Sequence, residues 1–372
     1  MLRTIRNLIV NIMAAFIRDK DARHKFRNKY KIRSKFRKLR DDNKRLFNEN
    51  KTLRNDIVNI KGELIAMKTN YNLHLWEWER VYALTFHVEP LNINPTHVPN
   101  SEVFLAIACV SKNEGPYLRE WIEYHKIVGV ERFYFYDNES DDNTKEVLEP
   151  YIKDGTVVYH FLPNHPITKQ FRQVEAYNDA IFKYREKTRW MAIIDIDEFI
   201  VPVEKNSIPE FLADFEQYPA VVINWVCFDS NGHDKKPTSH GGLLTANYTR
   251  VKKDHNNGMD RAIKSIVNPK QVVQYICSHY GIYYLNFQGV TENFHTARGM
   301  STKNHSTNKI RINHYKSKSR EEYINRITKN SINHPLNYKL NESVINFKEE
   351  TAEDFVIQKY VPTLKTALGI VD

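Results

Sequence analysis

Residues 190–199 read WMAIIDIDEF, an apolar run from Trp190 to Ile194 that opens into Asp195, Asp197 and Glu198. A short apolar run that ends in a charged stretch reads as a buried strand. Acids crowded at its end repel one another unless a cation sits among them. Asp195 and Asp197 are separated by one residue, so on an extended segment their side chains point the same way and can share a hard divalent cation, directly or through water. Such a cation can bridge the phosphates of a nucleotide and stabilise charge growing on a leaving diphosphate.

Working outward, residues 103–110 (VFLAIACV) read as a second buried strand, and residues 116–127 (PYLREWIEYHKI) carry Leu118, Trp121, Ile122 and His125 on one helical face. Residues 132–136 (RFYFY) form another strand, closed by the turn-rich DNESDDN of 137–143. A helix over 144–151, a strand over 157–161, a helix over 171–185 and the strand at 190–194 complete a βαβ order. That order predicts an α/β fold with a mixed, mostly parallel sheet and right-handed crossovers. Ligands of such sheets sit beyond the carboxyl ends of the strands. The polar residues gather there: Ser111 to Gly115 after the first strand, Asp137 and Asn138 after the second, and Asp195 to Glu198 after the last. Further on, an apolar strand at 221–226 runs into FDSNGH, which contains Asp229 and His233. A helix from Ser317, with Ser319 as its cap, and a final helix over 351–368 are the remaining elements expected.

The chain of 372 residues holds 55 Lys plus Arg against 45 Asp plus Glu, a net charge of +10. Residues 18–40 alone contain twelve cations and two acids, and removing them leaves 43 bases against 43 acids. The excess belongs to one segment, which argues against a fold that coats nucleic acid. A hydrophobic content of 41% and an aromatic content of 12% supply a substantial core and exclude disorder throughout. Cys109, Cys227 and Cys277 are odd in number and show no CxxC spacing, so they read as reduced thiols of a cytosolic protein.

At the amino terminus Leu2, Ile5, Ile9, Ile12 and Phe16 recur at helical spacing, which predicts an amphipathic helix over 1–17. Its apolar run is about half the length a bilayer span needs, and the small-residue cleavage site of a signal peptide is missing. Together with the basic run of 18–40 it suits an anionic membrane surface; nucleic acid is the runner-up partner for this segment alone. Ile32, Leu39, Leu46, Leu53, Ile60 and Met67 then recur every seven residues, each followed four residues later by Phe36, Asn43, Asn50, Ile57, Leu64 and Tyr71. This heptad predicts a coiled coil and a homodimer, against the alternative of one long helix folded back on its own domain. The resulting plan is a surface helix (1–17), a basic segment and coiled coil (18–75), a Pro-marked linker (76–102), a catalytic domain (103–335) and a helical extension (336–372).

The run KNEGPYLREWIEYHKIVGVERFYFYDNESDDNT from Lys112, Trp190 with DIDEF from Asp195, SNGH from Ser230, KSIVNP from Lys264 and INHYKSKSREEY from Ile312 together resemble the glycosyltransferase family 92 domain and its bacterial family 2-like relatives of GT-A fold. The resemblance implies transfer of a sugar, with inversion, from a nucleotide-sugar donor (a UDP-sugar) to a saccharide or lipid-linked glycan. Together with the amino-terminal helix and the basic run, these motifs lead to the expectation of surface polysaccharide synthesis at the inner face of the cell membrane. The resemblance places Asp137 on the nucleoside, with Lys112, Asn113 and Glu114 lining the same pocket. Asp195 and Asp197 hold Mn²⁺ or Mg²⁺ in this scheme, with His314 as a third ligand; Arg172 and Lys264 are placed by charge and location to offset the diphosphate. Inversion needs a general base near the acceptor hydroxyl. Asp229 and His233 are the candidates, with Asp260 and Glu292 behind them, and Asp229 stands where the family pattern favours Gly. Two other functions share these features: a nucleotidyl- or phosphotransferase using the same acids, and a non-catalytic coiled-coil membrane adaptor.

Overall fold

The computed structural model describes residues 11, 19–28, 38, 101–164, 172–256, 258–284, 287–333 and 342–371. The chain divides into two compact units, Met1–Val81 and Tyr82–Asp372. In the first, residues 20–28 of the basic segment are helical, and Asp19 caps them by accepting from the N–H groups of Asp21 (2.7 Å) and Ala22 (3.0 Å). The amphipathic helix expected over 1–17 and the heptads over 32–71 lie outside the described residues but for Asn11 and Lys38. Among the described residues no helix is long and apolar enough to cross a membrane.

The second unit begins with β1 (Val103–Ser111), α1 (Gly115–Ile127), β2 (Arg132–Asp137), α2 (Thr144–Lys153), β3 (Val157–Phe161), α3 (Gln173–Tyr184) and β4 (Thr188–Ile193). This is the alternation read from the sequence. Neighbours β1/β2, β2/β3 and β1/β4 are parallel. Side chains alternate across the sheet: Leu105, Ile107, Cys109, Phe133 and Trp190 pack with α1 and α2, while Ala106, Ala108, Tyr134, Met191 and Ile193 pack with α3. Both faces are therefore covered, which is why these strands are near-continuous apolar runs.

The chain continues through β5 (Glu198–Pro202), α4 (Ile208–Leu212), β6 (Ala220–Cys227), α5 (Leu244–Asn247), β7 (Arg250–Lys252) and β8 (Ile263–Val267). Short strands follow, β9 (Val272–Tyr275), β10 (Gly281–Tyr283), β11 (Gly289–Val290) and β12 (Thr296–Ala297), and then β13 (Ile310–His314), α6 (Arg320–Asn333), α7 (Glu342–Ile345), β14 (Thr351–Glu353) and α8 (Val361–Leu368). The main sheet runs β12-β11-β6-β8-β4-β1-β2-β3, with β13 joined to β6 and β5 joined to β13. It is mixed because β8 is antiparallel to both β4 and β6.

The final helix expected over residues 351–368 is corrected by the structure. Thr351–Glu353 instead pairs antiparallel with β7. Asp354 then accepts a two-pronged contact from Arg311 and donates its N–H to the Thr249 carbonyl (2.7 Å), which pins the chain. Helix begins in earnest only at Val361, with Pro362 in its first turn, and stops at left-handed Gly369. The three cysteines are free thiols.

Candidate active site

The WMAIIDIDEF stretch does not stay extended through its acids. β4 ends at Ile193, and residues 194–197 turn before β5 begins at Glu198. The Glu198 N–H closes the turn on the Asp195 carbonyl (3.1 Å), and the Asp195 N–H donates to Glu198 Oε2 (3.2 Å). This corrects the expectation that Asp195 and Asp197 share one face of a strand: a turn between them sends their side chains to different partners.

Asp195 is held by three donors. Lys264 Nζ lies 2.8 Å from Oδ2, while Gln173 Nε2 (2.9 Å) and the Tyr177 hydroxyl (3.1 Å) donate to Oδ1. The Lys264 side chain is 1% exposed and its ammonium is 3.7 Å from Glu198. Burial alone would lower the Lys264 pKa, but Asp195 and Glu198 raise it above the usual value, so it stays charged.

Asp197, Glu198 and His314 form the tighter group. Each offers a ligand atom, and these atoms lie within 4.8 Å of one another. Sheet register makes the group: antiparallel pairing of β13 with β5 sets His314 opposite Glu198 and Asn313 opposite Phe199, while parallel pairing with β6 sets His314 beside Cys227. The Tyr315 N–H donates to the Asp197 carbonyl (2.9 Å) and fixes the turn to the strand. Burial would raise the Asp197 pKa, yet the His314 imidazole (3.6 Å), then Arg326 (3.5 Å) and Lys318, hold it well below the carboxylate range. Burial pushes Glu198 well up, against the opposing pull of Lys264. Glu198 Oε1 and His314 Nδ1 are buried without a hydrogen-bond partner. Two carboxylates and an imidazole with unused buried lone pairs are a donor set that fits Mn²⁺ or Mg²⁺.

The other residues expected at the site gather at the carboxyl ends of β1 and β2, where Ser111 pairs with Asp137. Asp137 is buried and accepts from the Ser140 N–H (3.0 Å) and the Tyr159 hydroxyl (2.7 Å). Asn113, at φ 58°, accepts from the Asp141 N–H (2.8 Å) and ties the two loops together. A Cβ on Gly115 would sit 2.1 Å from Asn143 Oδ1, so a larger residue there would displace the Asn143 side chain. Glu114 pairs with Lys318 Nζ (2.6 Å), which also lies over the Tyr117 ring; the Tyr117 hydroxyl donates to Glu322. Lys112 is exposed. Arg172 is paired with Glu175 (2.5 Å) rather than with the acids of the turn.

The acidic base candidates are placed as anchors. Asp229 receives Arg250 Nε on both oxygens (2.9 Å each), with the N–H groups of Asn231 (2.9 Å) and Phe347 (3.0 Å). Asp260 accepts from the Cys227 N–H (2.9 Å) and from His255 Nδ1 (2.9 Å). Glu292 accepts from Ser306 and from the N–H groups of Asn308, Lys309 and Ile310. The His233 Nε2–H donates to the Asn247 carbonyl (3.1 Å). A residue that the sequence reading passed over is His279. Its Nδ1–H donates to the Ile263 carbonyl (2.8 Å), which reserves Nε2 as the proton acceptor, and its ring packs 5.4 Å from Trp225, whose other neighbour is His314 at 4.3 Å. Nothing in its sequence context marks it. Gln173, Tyr177, Lys318 and Arg326 were legible only as helix or loop residues.

The sequence profile of glycosyltransferase family 92 matches residues 106–368. A family 92 protein of Oryza sativa subsp. japonica is 28% identical over 231 residues, covering 61% of this chain and 36% of that protein. Galactan beta-1,4-galactosyltransferase GALS2 of Arabidopsis thaliana is 31% identical over 126 residues, covering 31% of this chain and 24% of its own. The chain thus spans well under half the length of these curated relatives. Among solved structures, S. aureus TarS in complex with UDP-GlcNAc covers 64% of this chain and 68% of that one at 12% identity and a TM-score of 0.35, a likeness that identifies no fold.

Proposed function

The chain belongs to glycosyltransferase family 92, and on that premise we propose that it is a metal-dependent, inverting glycosyltransferase of GT-A type. In this reading it moves a sugar from a UDP-sugar to a saccharide or lipid-linked glycan in surface polysaccharide synthesis. The observation that carries the proposal is the register that brings His314 of β13 onto Glu198 of β5 beside Asp197.

Asp197, Glu198 and His314 would hold Mn²⁺ or Mg²⁺, which when bound supplies charge stabilisation to a departing diphosphate. Asp195, oriented by Gln173, Tyr177 and Lys264, is left to receive a donor hydroxyl. Arg326 and Lys318, beside Asp197, and the buried Lys264 supply the cationic wall for the diphosphate, in place of Arg172. Asp137 and Asn113 border the nucleoside side, at the sheet edge where such ligands bind. His279 Nε2 takes the acceptor proton as the new glycosidic bond forms.

The test is a panel of UDP-sugars with Mn²⁺. Wild type should release UDP, and UDP with Mn²⁺ at a hundredfold excess over Kd should stabilise it by about 2.7 kcal/mol, a rise of roughly 3–5 °C in Tm. Asp197→Asn and His314→Gln should lose both effects. Variants that keep the thermal shift and the turnover would refute the site.

A further inference from the structure

The loop between β11 and β13 walls a cavity of about 550 Å³ that none of the acids of the turn lines. Its back is pinned to the strand that flanks the acidic trio. Asn224 of β6 donates to Thr302 Oγ1 (2.8 Å), and the His305 Nε2–H donates to the Trp225 carbonyl (2.8 Å), while the Trp225 ring lies against His314. Cavity and trio are thus joined through Trp225, whose carbonyl holds the lining residue His305 and whose ring meets His314.

The cavity's chemistry is one-sided. Arg298 and Lys303 line it, both exposed, and neither pairs with a carboxylate among the described residues; no carboxylate lines it. Glu292, beside the lining residues Thr291 and Asn293, is 2% exposed, its oxygens are taken by Ser306 and three backbone N–H groups, and it pairs with neither cation. The rest of the lining is mostly hydroxyl and amide, including Asn293, Thr296 and Asn304, with the imidazoles of His295 and His305. Neutral donors and acceptors of this kind match sugar hydroxyls, and two cations without a carboxylate partner among the described residues favour an anion in a concave site.

We propose that this cavity is the acceptor subsite and that it takes an anionic saccharide, one bearing carboxylate or phosphate groups. The inference deepens the glycosyltransferase reading and rests on it. Arg298 and Lys303 grip the anionic group, the hydroxyl and amide lining holds the sugar ring, and the chain end reaches the trio past Trp225.

The test titrates full-length protein by calorimetry with three oligosaccharides of matched length: an oligogalacturonate, a phosphorylated mannan fragment and a neutral galacto-oligosaccharide. At least one charged oligosaccharide should bind about tenfold tighter than the neutral one, and the Arg298→Ala/Lys303→Ala double variant should lose that advantage. Because both side chains are exposed, the double variant should melt with wild type and keep its response to UDP with Mn²⁺. Which charged arm binds identifies the anionic group. Failure of both charged arms to bind, equal binding of the neutral one, or charge-selective binding that survives the double substitution would overturn the proposal; the last result would hand the binding to the basic segment. Charge-selective binding lost in the double variant, in a protein that shows no response to UDP with Mn²⁺, would keep the saccharide site and refute the donor reading.

Discussion

His125 shows how a single side chain supports the site from behind. It is fully buried on α1, accepts the Ile200 N–H on Nε2 (3.2 Å), and so donates its Nδ1–H to the Trp121 carbonyl (2.8 Å). Its neighbours act alongside it: the Trp121 indole donates to the Glu198 carbonyl (2.8 Å) and the Tyr124 hydroxyl to the Ile200 carbonyl (3.0 Å). One helix face thereby satisfies the edge of β5 that lacks a strand partner, and β5 carries Glu198. Burial pushes the His125 pKa down to about 3 from 6.5. The folded state therefore binds this proton less readily than the unfolded chain. The stability contribution is full above pH 6.5 and declines as pH falls toward 3. Between pH 7.5 and 4.5 wild type should lose about 2 kcal/mol more than His125→Gln, which keeps one donor and one acceptor but cannot be protonated. Urea titrations at the two pH values measure the difference, and equal losses in both proteins would place the acid sensitivity elsewhere.

At the scale of elements, what could be read in advance was what burial writes into local sequence. β1 to β4 are covered on both faces and their helices on one, so apolar runs and helical spacing marked them. β13 and β14 were different. Their positions follow from long-range pairing with β5, β6 and β7, and a strand as short as Thr351–Glu353 leaves no periodicity to read. The turn at 194–197 was hidden because Ile194 and Ile196 flank Asp195 with the apolar residues of a strand. Its presence exchanges Asp195 for Glu198 in the trio. Loop Asp229, a base candidate in the sequence, is engaged through both oxygens as an anchor. It ties the end of β6 to Arg250 of β7 and to the N–H of Phe347, and its side chain is 0% exposed. Asp229→Ala leaves Arg250 and two N–H groups unmatched, so unfolding free energy should fall by about 2–4 kcal/mol. Below the variant's melting temperature, transfer should stay within about threefold of wild type. Loss of a general base costs ~10²–10⁴-fold instead, so a drop of that size at unchanged stability would restore Asp229 to the chemistry.

For the whole molecule, charge is divided unevenly along the chain. The excess of +10 resides in residues 18–40, and the rest of the chain balances 43 bases with 43 acids. The site's own cations are engaged locally: Lys264 with Asp195, Lys318 with Glu114 and Arg326 with Asp197. On the proposed reading a phosphate-bearing donor would be met by these specific pairs and not by a diffuse positive field, which leaves the net charge for another role. We propose that residues 1–40 hold the enzyme on an anionic membrane face, where each cation contributes about 1 kcal/mol within a Debye length of the headgroups. Full-length protein should pellet with vesicles containing phosphatidylserine and not with phosphatidylcholine alone, and raising the salt to 0.5 M, where the Debye length shrinks to about 4 Å, should release it. Changing about four cations of the basic segment to Gln should weaken pelleting by roughly 10²–10³-fold while leaving UDP release from a soluble UDP-sugar unaltered. Salt-resistant pelleting would assign the attachment to apolar insertion instead. Equal pelleting by the substituted protein would remove the basic segment from the role and point to residues 298–320, which hold seven cations and no acid.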